Sequence, residues 1–244
     1  MTSSITSHIL ITGAAGGLGC ACARAFAAPG VLAGLQYCRS REKAAMLEAD
    51  LLGRGATPYL IQADFSNLDA AGIVADDVQS RAEILDVVIL NAGIAPNALI
   101  VRTNENLWDC VFAVNYQTPV RLCRLLAESC LRDGSHVVIV GSLAGLRGRK
   151  GAAAYAASKA AITGFAVDAA RQFGPRGICV NAVLPGWLET PMTSALPPDQ
   201  WKTSVAENTL GRPATCAEIA AFIKNLTSCR HISGQVLGLD SRSW

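Results

Sequence analysis

The chain of 244 residues is 51% hydrophobic and 16% charged, which supplies enough apolar side chain to bury a large core in one domain spanning 1–244. A formal net charge of +2 without any long Lys/Arg run excludes nucleic acid and anionic membrane surfaces as partners. No window reaches ~18 uninterrupted apolar residues, and Met1–His8 lacks a basic region leading into an apolar stretch, so no membrane span and no signal peptide are predicted, and a cytoplasmic location is expected. The nine cysteines form no C-x-x-C pair and mostly fall inside apolar segments, so they are expected to be small buried hydrophobes in a reducing compartment, without disulfides and without a metal site.

In chain order, His8–Ile11 is a short apolar strand that breaks into Thr12-Gly13-Ala14-Ala15-Gly16-Gly17-Leu18-Gly19, followed by an alanine-rich helix from Cys20 to Ala28 that Pro29-Gly30 stops. A strand, a glycine loop and a helix N-terminus together let backbone N–H groups approach a phosphate. The spacing is G-x-x-x-G-x-G rather than G-x-G-x-x-G. A second strand, Val31–Tyr37, ends without the acid that would bind a ribose 2′-hydroxyl, and Arg39 and Ser40 follow it, a pattern that favours the 2′-phosphate of NADP without excluding NAD. Arg41–Leu52 reads as the next helix. A third strand, Pro58–Gln62, leads to Asp64 and Phe65, where Asp64 either accepts from an adenine amino group or caps the following helix. The fourth strand, Leu85–Leu90, is apolar throughout, as in parallel sheets covered on both faces, and closes on Asn91-Ala92-Gly93.

Asn104–Leu131 reads as one long helix carrying Asn115 inside its apolar pattern. Val137–Gly141 is a fifth strand that ends at Ser142, which places a hydroxyl at the carboxyl end of the sheet. In a helix from about Ala152 to Phe173, Tyr155 and Lys159 stand at i and i+4 on one face, so a nearby ammonium favours the phenolate and brings the phenol closer to working pH as a proton donor. Ile178–Val183 is a sixth strand. Beyond Pro185-Gly186, the stretch 187–203, including Leu188 and Thr190, is expected to be a mobile loop over the substrate, and Gln235–Leu239 is the seventh strand. The alternation predicts an α/β fold with a doubly wound parallel sheet and helices on both faces.

Taken in order, Thr12-Gly13-x-x-x-Gly17-x-Gly19, Asp64, Asn91-Ala92-Gly93, Asn115, Ser142, Tyr155-x-x-x-Lys159 and Pro185-Gly186 resemble the short-chain dehydrogenase/reductase family along nearly the whole chain. The resemblance implies a Rossmann-type subunit in which NADP(H), or NAD(H), exchanges hydride with a carbonyl or alcohol carbon. It implies that Ser142 positions the substrate oxygen, Tyr155 transfers its proton, Lys159 serves both phenol and ribose, and Asn115 anchors a relay water. It also implies a cofactor site formed by Gly13, Ala15, Gly16, Gly17, Leu18, Gly19, Arg39, Ser40, Asp64, Phe65, Asn91, Ala92, Gly93, Tyr155, Lys159, Pro185, Gly186, Leu188 and Thr190.

Within the family, 176–193, Leu210-Gly211-Arg212-Pro213 and Ile232–Leu237 look most like the 3-oxoacyl-[acyl-carrier-protein] reductases. That implies a thioester substrate on an acidic acyl carrier protein, docked through Arg132, Arg147, Arg149, Lys150 and Arg176, and a homotetramer. A free alcohol, sugar, steroid or quinone as substrate, and a non-catalytic dinucleotide-binding subunit, are the alternatives. Gly16 stands where many NADP-dependent members carry a basic residue, Leu90 replaces the first asparagine of N-N-A-G, and Asp240–Trp244 lacks the glycine pair usual after the last strand.

Overall fold

The computed structural model describes residues 5–190 and 206–242. Seven parallel strands, β1 (Ser7–Ile11), β2 (Val31–Tyr37), β3 (Thr57–Gln62), β4 (Val87–Leu90), β5 (His136–Val140), β6 (Cys179–Pro185) and β7 (Val236–Leu239), form one sheet in the order β3-β2-β1-β4-β5-β6-β7. The order reverses between β1 and β4, which opens a crevice beyond the carboxyl ends of those strands, where open α/β sheets take their ligands.

Alternation along each strand builds a core on both faces. Leu10, Val88, Ile139 and Val180 point to one face and pack under α3 (Ala70–Arg81), α5 (Thr118–Ser129) and α7 (Ala153–Phe173). Their neighbours Ile9, Ile89, Val138 and Val183 point to the other face, under α1 (Gly17–Phe26), α2 (Arg41–Gly53) and α8 (Cys216–Leu226). The helix α8 closes its N-terminus with a capping box between Thr215 and Glu218. Among the described residues no helix is long and apolar enough to cross a membrane.

Two expectations change. The single helix over Asn104–Leu131 is α4 (Glu105–Phe112), a π-helical turn at Ala113–Gln117, and α5. The wide turn falls at Asn115, whose side chain leaves the helix to bond elsewhere, and apolar periodicity does not register such an insertion. Of the nine cysteines only Cys22, Cys123, Cys130 and Cys179 are buried; the other five are partly exposed, Cys20 and Cys110 within helices and Cys38, Cys216 and Cys229 at element ends and in a loop.

Candidate active site

The floor of the crevice is tied together by side chains that satisfy backbone groups. After β1 the chain turns at Gly13 with φ +64°, where a Cβ would stand 2.9 Å from Ala92 Cα. Thr12 Oγ1 accepts from the N–H groups of Asn91 and Ala92 at 2.9 and 3.0 Å, and Asn91 Nδ2 donates back to Thr12 O at 3.0 Å. Gln36, buried on β2, accepts from Gly13 N at 2.8 Å and donates to Ala63 O at 2.7 Å. The ends of β1, β2, β3 and β4 are thereby held in one frame. Gly16 occupies the N-cap of α1 without a side-chain acceptor, and Gly16, Gly17 and Leu18 line the crevice, so the first N–H groups of the helix are directed to a ligand rather than to a cap. Gly19 is off this wall: it is buried, and a Cβ there would collide with Gly13 O, so it packs the helix beneath the loop.

The cleft has a volume of about 660 Å³. Apart from Gly19, every residue expected to bind the cofactor lines it: Gly13, Ala15, Gly16, Gly17, Leu18, Arg39, Ser40, Asp64, Phe65, Asn91, Ala92, Gly93, Tyr155, Lys159, Pro185, Gly186, Leu188 and Thr190. At the end of β2 the wall is Cys38, Arg39, Ser40 and Lys43. Lys43 lies within α2, one turn beyond Arg39, and only helical spacing could have signalled it. Asp64 does not cap α3, whose N-cap is Asp69; its Oδ1 accepts from Ser66 N at 3.0 Å and Ser66 Oγ at 2.8 Å, and these bonds hold the carboxyl below its ordinary range. Thr190 packs on the glycine loop, 2.8 Å from where a Gly17 Cβ would stand, and Leu188 pairs with Ala214, so 187–190 is anchored; the rest of the expected substrate loop, from 191, lies outside the described residues.

The chemical groups converge from three elements. Ser142 follows β5 and its Oγ accepts from Ala144 N at 3.2 Å; Tyr155, in the first turn of α7, shares the cleft wall with it. One turn on, Lys159 is buried, with Nζ 2.7 Å from Val140 O and 5.9 Å from the centre of the Tyr155 ring. Burial lowers the ammonium to about 8. Burial raises Tyr155, while the nearby Ser142 hydroxyl and the Arg149 charge oppose that rise. In the chain alone the Lys159 ammonium donates to the Val140 carbonyl, 5.9 Å from the centre of the phenol ring that it is expected to serve.

Asn115, released by the π-turn, accepts from Ile94 N at 2.8 Å and donates to Ile94 O and Ser158 Oγ, both at 3.0 Å. It clamps the segment after β4 to α7. A Cβ on Gly93 would lie 3.3 Å from Asn115 Oδ1 and 3.5 Å from Lys159 Nζ, so the bare backbone there keeps the ammonium reachable from the cleft. Uncapped helix amides, cations after β2 without a neighbouring carboxylate on that strand, and two hydroxyls on a wall with a buried ammonium form a donor set that fits a phosphorylated dinucleotide.

The amino edge of the sheet lies away from this cleft. Arg176 Nη2 and Arg132 Nη1 both donate to Leu131 O, at 2.9 and 3.0 Å, on the connections that precede β6 and β5. Within one protomer they therefore do not flank the mouth, because in a parallel sheet residues before a strand face the edge opposite those after it.

Comparison with known proteins agrees with this geometry. A family model described as Enoyl-(Acyl carrier protein) reductase matches residues 13–241. The chain is 36% identical over 237 residues to 3-oxoacyl-[acyl-carrier-protein] reductase FabG of Thermotoga maritima, covering 95% of both chains, and 34% identical to nodulation protein G of a Rhizobium species, covering 95% of this chain and 94% of the other. Among solved structures, a short chain dehydrogenase from Burkholderia cenocepacia in complex with NADP superposes with a TM-score of 0.92 at 28% identity, covering 99% of both chains. A blue fluorescent protein from a metagenomic library in complex with NADPH gives 0.91 at 27%, again over 99% of both. Relatives that share both the sequence and the whole seven-stranded sheet assign the chain: it belongs to the short-chain dehydrogenase/reductase family.

Proposed function

We propose that the protein is an NADP(H)-dependent carbonyl reductase that converts a 3-oxoacyl thioester, presented on an acidic acyl carrier protein, to the 3-hydroxyacyl form. The observation that carries this reading is that Ser142 and Tyr155 share the cleft wall, with the Lys159 ammonium one helical turn behind the phenol. When bound, the reduced nicotinamide supplies the hydride. Ser142 donates to the substrate oxygen and fixes its direction, and Tyr155 releases its phenolic proton to that oxygen as negative charge develops there. Lys159, held at the cleft floor, holds the cofactor ribose and meets the charge left on the phenolate. Asn115 keeps Ile94 and Ser158 in place around it and, in this reading, anchors a water that returns protons to Lys159.

The named relatives support the 3-oxoacyl substrate. The chain supports an acidic carrier in its own way: from 134 to 167 and from 87 to 104, the segments that bear Ser142, Tyr155 and Asn91, it contains no Asp or Glu, and it carries Arg102, Arg147, Arg149 and Lys150 there. Such a field steers an acidic partner. Arg132 and Arg176 join it only from a second copy, in keeping with the proposed homotetramer.

The family model's description favours a second reading, reduction of an enoyl thioester. Turnover with NADPH and NADH against 3-oxoacyl and 2-enoyl thioesters, each on a carrier protein and as a short free thioester, with quinones, aldoses and hydroxysteroids beside them, decides. The expected result is NADPH-dependent reduction of the 3-oxoacyl thioesters, fastest on the carrier; reduction of the enoyl compounds alone, or of the free alcohols and ketones alone, overturns the proposal.

A further inference from the structure

The stretch after β7, which lacks the usual glycine pair, closes on the wall of the cleft. β6 and β7 run parallel with Pro185 opposite Leu239, so the residues that follow them, Gly186 and Asp240, emerge side by side at the carboxyl edge of the sheet. Gly186 lines the cleft. The backbone hydrogen bond there is long, with Gly186 N 3.4 Å from Leu239 O, and the closer contact is with the Asp240 carboxylate, which fills the space that a Cβ on Gly186 would need. The Asp240 side chain is buried. Its Oδ1 accepts from Ser241 N at 2.8 Å, its Oδ2 from Arg242 Nε, and among the described residues Arg242 is the one cation paired with it. The same tail holds a second segment. Arg242 Nη1 reaches Glu207 Oε2 at 3.3 Å, Ser241 Oγ donates to Asn208 Oδ1 at 3.0 Å, and Ser241 O accepts from Thr209 N at 3.0 Å and from the Thr209 hydroxyl.

We propose that Arg242 is a positioning residue for the dinucleotide: paired with Asp240, it holds the carboxylate against Gly186 and so fixes that part of the cleft wall in its binding geometry. This rests on the reading that the cleft takes NADP(H). A carboxylate this deep keeps its place only beside a counter-charge; without one it turns toward water, and the contact with Gly186 goes with it. The anchor at 207–209 is lost in the same event, because Arg242 and Ser241 make both sets of bonds. Arg242 itself is off the cleft lining, so its effect passes through Asp240 and Gly186 and falls on cofactor affinity, leaving proton transfer at Tyr155 alone. The coupling is reciprocal: a clamp that favours the bound dinucleotide is in turn favoured by it.

The test measures NADPH binding by fluorescence titration without substrate. Arg242→Ala is expected to raise the NADPH Kd about tenfold, with kcat at saturating NADPH within about threefold of native and the pH profile of reduction unmoved. Arg242→Lys restores most of the affinity, and the double variant Asp240→Asn/Arg242→Ala, which strands no charge, binds only about threefold more weakly than the native protein. Hydrogen exchange followed by NMR reads the reciprocal effect: NADPH is expected to slow exchange at the Thr209 and Ser241 amides about fivefold in the native protein and to leave it unchanged in Arg242→Ala. A native Kd in Arg242→Ala overturns the proposal, as does an equal loss in Arg242→Lys, or exchange at those amides that ignores NADPH in the native protein. If Arg242→Ala does not fold, the double variant decides, and native affinity there overturns the proposal. Absence of 3-oxoacyl turnover would defeat the substrate reading while the binding and exchange results stand.

Discussion

The two edges of the same sheet treat buried polar groups in opposite ways. At the amino edge, His8 Nε2 and the Tyr59 hydroxyl lie 2.7 Å apart, His8 Nδ1 faces Ile84 O at 3.3 Å, and Asp86 Oδ2 accepts from His8 N at 2.7 Å, with Arg81 stacked 4.7 Å over the Tyr59 ring. Those groups satisfy one another; among the described residues the buried side-chain atom left without a partner is His136 Nδ1, at the start of β5. At the carboxyl edge Thr12, Gln36 and Asn115 spend their hydrogen bonds on the framework, so that Ser142, Tyr155 and the first residues of α1 line the cleft, with Lys159 Nζ held on Val140 O beside them. Polar burial at one edge stabilises a fold, and at the other it frames the residues that line a cleft. A buried titratable residue therefore points to chemistry when it also lines a cleft, as Lys159 does and His8 and His136 do not.

The largest effect that separates the edges is on turnover. Tyr155→Phe removes the proton and leaves the ring, so kcat is expected to fall by at least ~10³, near the upper range for general acid catalysis, while NADPH binding measured by fluorescence titration changes no more than a few-fold. Substantial residual turnover would take Tyr155 out of the mechanism.

The next effect is on stability, and it lies at the cleft. Asp240 and Arg242 form a buried ion pair in the tail, with side chains 4% and 11% exposed, and the Asp240 carboxylate packs against Gly186. Arg242 also reaches Glu207 at 3.3 Å. Here the missing glycine pair has been replaced by a clamp on the cofactor wall. Arg242→Ala strands a buried carboxylate and is expected to cost about 3 kcal/mol in denaturant unfolding; a midpoint like that of the native protein would show that the clamp contributes nothing.

The third prediction uses pH to distinguish the edges. Burial lowers His8 and His136, so below about 6.5 the unfolded chain binds protons that the folded one refuses, and stability falls on acidification. Lys159, lowered to about 8, acts in the alkaline range: between about 8 and the ordinary lysine value the unfolded chain keeps a proton that the native state has released, so stability rises with pH. Relative to the native protein, Lys159→Met should lose ground as pH rises through that window, and His8→Gln should lose its disadvantage as pH falls. Parallel unfolding curves at every pH would remove both assignments.

The smallest expected effect is on cofactor choice. Arg39→Ala is expected to weaken NADPH binding about tenfold, equivalent to about 1.4 kcal/mol, with NADH unchanged, because Lys43 and Ser40 remain on that wall. Equal losses for both dinucleotides would mean that Arg39 shapes the wall without reading the 2′-phosphate.

Much of this was legible in the chain as written. Continuous apolar runs broken by Gly and Asn marked the strands and their carboxyl ends, since a strand covered on both faces must be apolar throughout and a loop that meets a ligand needs backbone without side chains. The i, i+4 pairing of Tyr155 and Lys159 followed from helical spacing alone. Tertiary structure decided which polar groups are spent on the fold and which are kept for the cleft. Gln36 and Thr12 read as ordinary strand residues, the π-turn at Asn115 hid inside an apolar pattern, and Arg149, whose guanidinium lies over the Trp187 ring, read as one of several surface cations. Each depends on a partner more than 20 residues away in sequence, and hydrogen bonds and charge act over a few ångströms of space, which periodicity along a single element does not encode.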